Sequence, residues 1–151
     1  MLIGLDCVPP CLAFDRYRTL MPELSALIAE GSHGVLRSSL PPITVPAWTC
    51  MISGRDPGEL GLYGFRQRQA DGYGLRMVES GDVRVARVWD LLAAAGKRSS
   101  VLFVPPSAPV GRVQGEQVGC FLTPGPDTPH TFPGPLQGEL RVRFGPYVPD
   151  V

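Results

Sequence analysis

An excess of charge of either sign is absent from this sequence. Fourteen Lys and Arg balance fourteen Asp and Glu, for a formal net charge of zero. That balance excludes the strong basic field on which binding to nucleic acid or an anionic membrane rests. Long hydrophobic runs are also missing, with none near the roughly 20 residues that span a bilayer. Met1-Leu2-Ile3-Gly4-Leu5-Asp6 has no basic segment ahead of an apolar one, so no secretory signal is read there. The expectation is a cytoplasmic protein, with no membrane and no nucleic-acid polymer among its partners. Histidine is scarce: His33 and His130 stand alone, in neither an Asp-His pair nor a His-x-x-x-His array. Isolated histidines of this kind read as structural or solvated.

Cysteine is sparse and irregular, at positions 7, 11, 50 and 120. A zinc knuckle needs two closely spaced pairs, and only Cys7 and Cys11 approach one. The four read as reduced, mostly buried thiols. The chain does have 18 glycines and 17 prolines, enough for many loops but short of low complexity. With 151 residues and 44% apolar content it suits one domain with a core.

Met1–Leu5 is a continuous apolar run closed by Asp6, the pattern of a strand buried on both faces of a parallel sheet. Pro9 and Pro10 then force a loop. Leu20, Leu24, Leu27 and Ile28 recur at helical spacing within Phe14–Glu30, and Gly31 is the stop. Gly34–Ser39 reads as a second strand. Thr44 reads as the N-cap of a short helix over Val45–Ser53, with Gly54 as its stop. Arg55–Gly64 reads as loop and Tyr73–Val78 as strand. Val88, Leu91, Leu92 and Ala95 form one stripe in a helix over Val85–Ala95. Ser99–Val104 follows as a buried strand and Val118–Leu122 as another; Thr123–Pro135 is loop. Trp48 and Trp89 read as core, Lys97 as surface, and Arg66, Arg68 and Arg76 as a solvated face. The order predicts an α/β fold, with a mostly parallel sheet flanked by helices.

Ligands in such sheets sit at the carboxyl ends of strands. Asp6 ends the first strand and Thr44 begins the helix after the second. Each has an ordinary capping role available. The more specific possibility is chemical. A hydroxyl at a helix N-terminus lies in a partly positive field beside unpaired N–H groups. A divalent metal held by a carboxylate would lower its pKa further. Asp, Thr and metal together would make a nucleophile for phosphoryl transfer.

Several stretches carry a resemblance. They are Ile3-Gly4-Leu5-Asp6, Leu36 through Thr49, Ser53-Gly54-Arg55-Asp56-Pro57-Gly58, Val88 through Lys97, Val104-Pro105-Pro106 and Val118 through Pro124. In order and spacing the chain resembles the type I phosphodiesterase/nucleotide pyrophosphatase family of the alkaline phosphatase superfamily. The pattern departs at Cys7, where a glycine often follows the aspartate, and at Pro46-Ala47-Trp48, which lacks the nucleotide enzymes' Asn.

The resemblance implies an alkaline-phosphatase-like fold and a metal-dependent phosphoesterase acting on small phosphodiesters or nucleotide pyrophosphates. It assigns Asp6 to one of two divalent metal ions, zinc by family habit. It makes Thr44 both a contact of that metal and the nucleophile that forms a covalent phospho-threonine. The family draws its other Asp and His ligands from later in the domain, and this chain shows no such set. Residues 1–151 are therefore expected to be the N-terminal portion of one catalytic domain, incomplete at its C-terminal side. Such a fragment would be inactive alone and prone to self-association through an incomplete sheet. No Cys/Ser-x-Pro-x-Arg motif marks a sulfatase, and nothing marks a phosphomutase. The alternative from another class is a non-catalytic α/β binding or assembly module.

Overall fold

The computed structural model describes residues 1–149, and the chain divides into two compact units, Met1–Arg37 and Ser38–Val151. In the first unit a π-helical turn at Cys11–Arg16 and a 3-10 turn at Arg18–Leu20 lead into α1, Pro22–Glu30. The single helix expected over Phe14–Glu30 is thus broken. Pro22 at the first helical position sets where regular structure begins, because its ring fixes φ and its missing N–H costs nothing there.

Met1–Leu5 and Gly34–Ser39 form no strand, a correction to the predicted sheet. Leu2, Ile3 and Leu5 are exposed rather than interior. An apolar run becomes a strand only where a neighbour takes up its backbone N–H and C=O groups. Among the described residues neither segment has a paired strand.

The second unit holds α2 (Thr44–Ser53), α3 (Pro57–Leu60), β1 (Arg66–Arg68), β2 (Leu75–Met77), α4 (Val88–Ala94), β3 (Ser99–Leu102), β4 (Gly115–Val118), β5 (Thr131–Phe132) and α5 (Leu136–Phe144). β1 and β2 form an antiparallel hairpin with Gln67 opposite Arg76. β4 is the centre of a second sheet, parallel to β3 and antiparallel to β5. The fold is mixed α/β with two small sheets, and parallel pairing is confined to β3 and β4. Gly115 fits β4 against β3, since a Cβ there would lie 2.1 Å from the Ser99 carbonyl oxygen.

Helix α2 anchors this unit. Val45 packs with Leu62, Val78 and Val83 in one core cluster. Ile52, seven residues on and so on the same helical face, packs with Trp89 and Val101 in another. Gly54 ends the helix in the left-handed region, at φ 68°. Asp56 caps α3 by accepting from the Gly58 and Glu59 N–H groups at 2.7 and 3.0 Å. At the start of α4 the third residue, Asp90, reaches back and accepts from the N–H of the cap residue, Arg87, at 2.8 Å.

Three elements differ from the expected positions. Helix α3 lies inside Arg55–Gly64, expected to be loop, because Asp56 caps it and Pro57 suits its first position. The strand placed at Val118–Leu122 lies at Gly115–Val118, where the parallel register with β3 sets it. Thr131–Phe132 pairs with β4 inside a stretch expected to be all loop. Helix α5 carries no legible stripe: Val142 and Phe144 are exposed and none of its residues is buried.

Candidate active site

Thr44 is the first residue of α2, and the cap position belongs to Ile43, extended at φ −112° and ψ 147°. The expected N-cap role of Thr44 is therefore corrected by one residue. Ile43 has no side-chain oxygen to offer the first turn. Its carbonyl accepts from the Ala47 N–H at 3.0 Å. Pro46, at the third position, has no N–H at all, which suits a first turn where that donor would have no intrahelical acceptor. Thr44 itself is half-buried, beside Val45 and Pro46, which are buried. The hydroxyl-bearing residue thus stands at the positive end of a ten-residue helix that two core clusters hold in place.

A second threonine on the same helix shows the contrast. Thr49 is fully buried, and its hydroxyl donates to the Val45 carbonyl at 2.7 Å. Cys50, one position on, is partly buried, and burial pushes its thiol above the ordinary cysteine range. Neither is suited to attack a substrate from solvent.

Asp6 lies in the first unit, exposed and in a turn instead of at a strand end. Cys7, next to it, has φ 55°, and its Sγ donates to Asp6 Oδ2 at 3.6 Å. Cys7 and Cys11 are exposed and Cys50 half-buried, so of the four free thiols only Cys120 is buried as expected.

The described residues do not by themselves fit a two-metal centre: among them no three His, Cys, Asp or Glu side chains gather into a group able to hold a metal ion. His33 packs edge-on against Phe14, with centroids 5.4 Å apart. His130 is buried, with Nδ1 2.8 Å from the Thr128 carbonyl oxygen and its ring stacked on Tyr147 at 4.2 Å.

Of the arginines read as a solvated face, Arg76 is held: its guanidinium meets both oxygens of Asp82. The sequence gives no sign of the Asp82 pairing because its partner lies six residues back in β2, a separation that neither helical nor strand periodicity singles out. Trp89 is core as expected, Trp48 is half-buried, and Lys97 is exposed.

No helix among the described residues is long and apolar enough to cross a membrane. The family model for type I phosphodiesterase / nucleotide pyrophosphatase matches residues 1–144. No curated protein and no solved structure matches the chain.

Proposed function

Because the chain belongs to the type I phosphodiesterase/nucleotide pyrophosphatase family, we propose that it carries the nucleophile of a phosphoester hydrolase and that Thr44 is that group. The supporting observation is the seat of Thr44 at the first position of α2, the positive end of a helix packed through two core clusters. A phosphoryl oxygen approaching this turn meets a partial positive charge. The same field favours the alkoxide form of the hydroxyl.

The reaction has two displacements. The Thr44 hydroxyl oxygen bonds to phosphorus, its proton passes to solvent, and the bond to the leaving alcohol or phosphate breaks. Water then attacks the same phosphorus, the Thr44–phosphorus bond breaks, and the hydroxyl is restored. The substrate is a small phosphodiester or nucleotide pyrophosphate. We carry Asp6 forward as a contact to one of two divalent ions, zinc by family habit, with the other ligands outside the described set. The four free cysteines support a reducing compartment, the cytoplasm.

The test is turnover of bis(4-nitrophenyl) phosphate by the product of the complete reading frame, followed as released nitrophenolate. The expected result is metal-dependent turnover, with a 4-nitrophenyl phosphate adduct mapped to Thr44 after acid quench. Turnover that leaves no adduct and survives Thr44→Ala would overturn the assignment of Thr44. Absence of any turnover would favour a non-catalytic binding or assembly module.

A further inference from the structure

A cavity of about 690 Å³ opens in the second unit at the carboxyl ends of β3 and β4, where Leu102, Phe103 and Val118 form part of its wall. Thr44 is not among its lining residues. Its volume lies within the range of small-molecule sites, and the end of a parallel strand pair is where α/β folds bind ligands.

Helix α5 forms one wall with Gln137, Leu140, Arg141 and Phe144, spaced i, i+3, i+4 and i+7. That spacing is one helical face. None of the residues of α5 is buried, so this face meets the cavity and not a packed core. Aromatic rings supply much of the remaining wall. Tyr147 lies parallel to Phe103, with centroids 6.3 Å apart and planes within 3°. Its hydroxyl donates to the Gly119 and Cys120 carbonyls at 2.9 and 3.0 Å, which fixes the ring.

His130 supplies the polar element. It is 4% exposed, it lines the cavity, and it stacks on Tyr147. Its main-chain N–H donates to the Gln137 side-chain oxygen at 3.2 Å, tying it to α5. Nδ1 lies 2.8 Å from the Thr128 carbonyl oxygen. A carbonyl oxygen can only accept, so Nδ1 carries the hydrogen. In the neutral imidazole Nε2 then carries a lone pair, held in one tautomer by the backbone. Charge adds little preference, because Arg141 and Asp127 both line the cavity with opposite signs.

We propose that this cavity is a binding site for a neutral, planar aromatic ligand bearing an O–H or N–H donor, with the rings of Phe103 and Tyr147 as its apolar walls and His130 Nε2 as its acceptor. The flat apolar body gains from ring contact. The donor pairs with the Nε2 lone pair, a contact that an analogue lacking the donor cannot make. The proposal does not depend on Thr44 or on hydrolysis.

The probe is 2-naphthol, compared with 2-methoxynaphthalene, which keeps the ring system and lacks the donor. Both are titrated in mildly alkaline buffer against the whole chain, with long-range proton–nitrogen spectra of the histidines; His33→Gln assigns the two sets of signals. The expected result is saturable binding of 2-naphthol, about tenfold tighter than that of the ether. The His130 Nε2 resonance should move on adding naphthol, and that of His33 should not. His130→Phe keeps a ring against Tyr147 and removes the acceptor, so the preference for naphthol should disappear. Should that variant fail to fold, the wild-type nitrogen spectra decide alone. Equal affinities, no saturation within the solubility of naphthol, or an unmoved His130 Nε2 would each overturn the proposal.

Discussion

Arg76 and Asp82 form a two-pronged ion pair, with Nη1 2.8 Å from Oδ2 and Nη2 against Oδ1. Asp82 Oδ2 also accepts from the Glu79 N–H at 2.8 Å. One carboxylate thereby ties β2 to the turn that leads towards Val83 and the first core cluster. The Arg76 guanidinium, above all through its hydrogen bonds, holds the Asp82 carboxyl below the ordinary carboxylate range.

The sign of the resulting pH dependence follows from linkage. A carboxyl whose folded pKa is depressed adds stability above its unfolded pKa and loses it as pH falls through the folded one. The unfolded value is about 3.9. The Asp82 contribution should therefore be complete above about pH 5 and fade below about pH 4. Asp82→Asn should lower the melting temperature at pH 7 and flatten the acid limb of a melting-temperature profile. A wild-type and an Asn profile that run parallel below pH 4 would contradict this account.

The second core cluster predicts a larger effect. Ile52, Trp89 and Val101 bring together α2, α4 and β3, each at 6% exposure or less. Trp89→Ala should cost about 3–5 kcal/mol and Ile52→Ala about 2–5 kcal/mol in chemical denaturation. The two side chains share a cluster, so the double variant should lose less than the sum. Strict additivity would mean that they do not act as one core.

Surface exposure predicts association. In the first unit Leu2, Ile3, Val35 and Leu36 are 66–90% exposed. Monomeric soluble proteins seldom leave so much apolar surface in water. The chain should self-associate in sedimentation velocity with a concentration-dependent boundary, and Val35→Glu with Leu36→Glu should weaken it. A single sharp monomer at all concentrations would refute this.

The legible parts of the fold were those in which local chemistry coincided with packing. The Val88, Leu91, Leu92 run marked α4, although its buried contact comes chiefly from Trp89. Gly54 marked the end of α2 because a left-handed residue is needed there. Met1–Leu5 misled because an apolar pattern records a preference for burial and not whether a partner strand is present. Helix α5 escaped notice for the opposite reason: its shared face meets a cavity, so its sequence shows no conventional core stripe. At the candidate site, the place of Thr44 at a helix start was legible to within one residue, from the threonine ahead of Val45-Pro46. His130 reads as isolated in the sequence because its partners, the Thr128 carbonyl and the Tyr147 ring, are visible only in the folded chain.

Helix α2 carries the sharpest test of function because it holds two threonines in opposite settings. Thr44 stands half-buried at the first position, and Thr49 is sealed in the core with its hydroxyl on the Val45 carbonyl. Only the first is proposed to meet a substrate. Thr44→Ala removes a hydroxyl from a helix start, so it should cost at most about 1 kcal/mol of stability. Thr44→Ser keeps the oxygen and should retain a covalent adduct with bis(4-nitrophenyl) phosphate in the product of the complete reading frame. Thr49→Ala removes a methyl and a buried hydroxyl, so it should destabilise by about 1–3 kcal/mol. It should leave the adduct in place at temperatures where the fold persists. The measurement is intact-protein mass after acid quench, followed by peptide mapping, with melting curves for each variant. Loss of the adduct in Thr44→Ala, with a near-normal melt, would separate a chemical role from a purely structural one. An adduct that persists in Thr44→Ala, or that maps to another residue, would leave Thr44 as the first residue of a helix and nothing more.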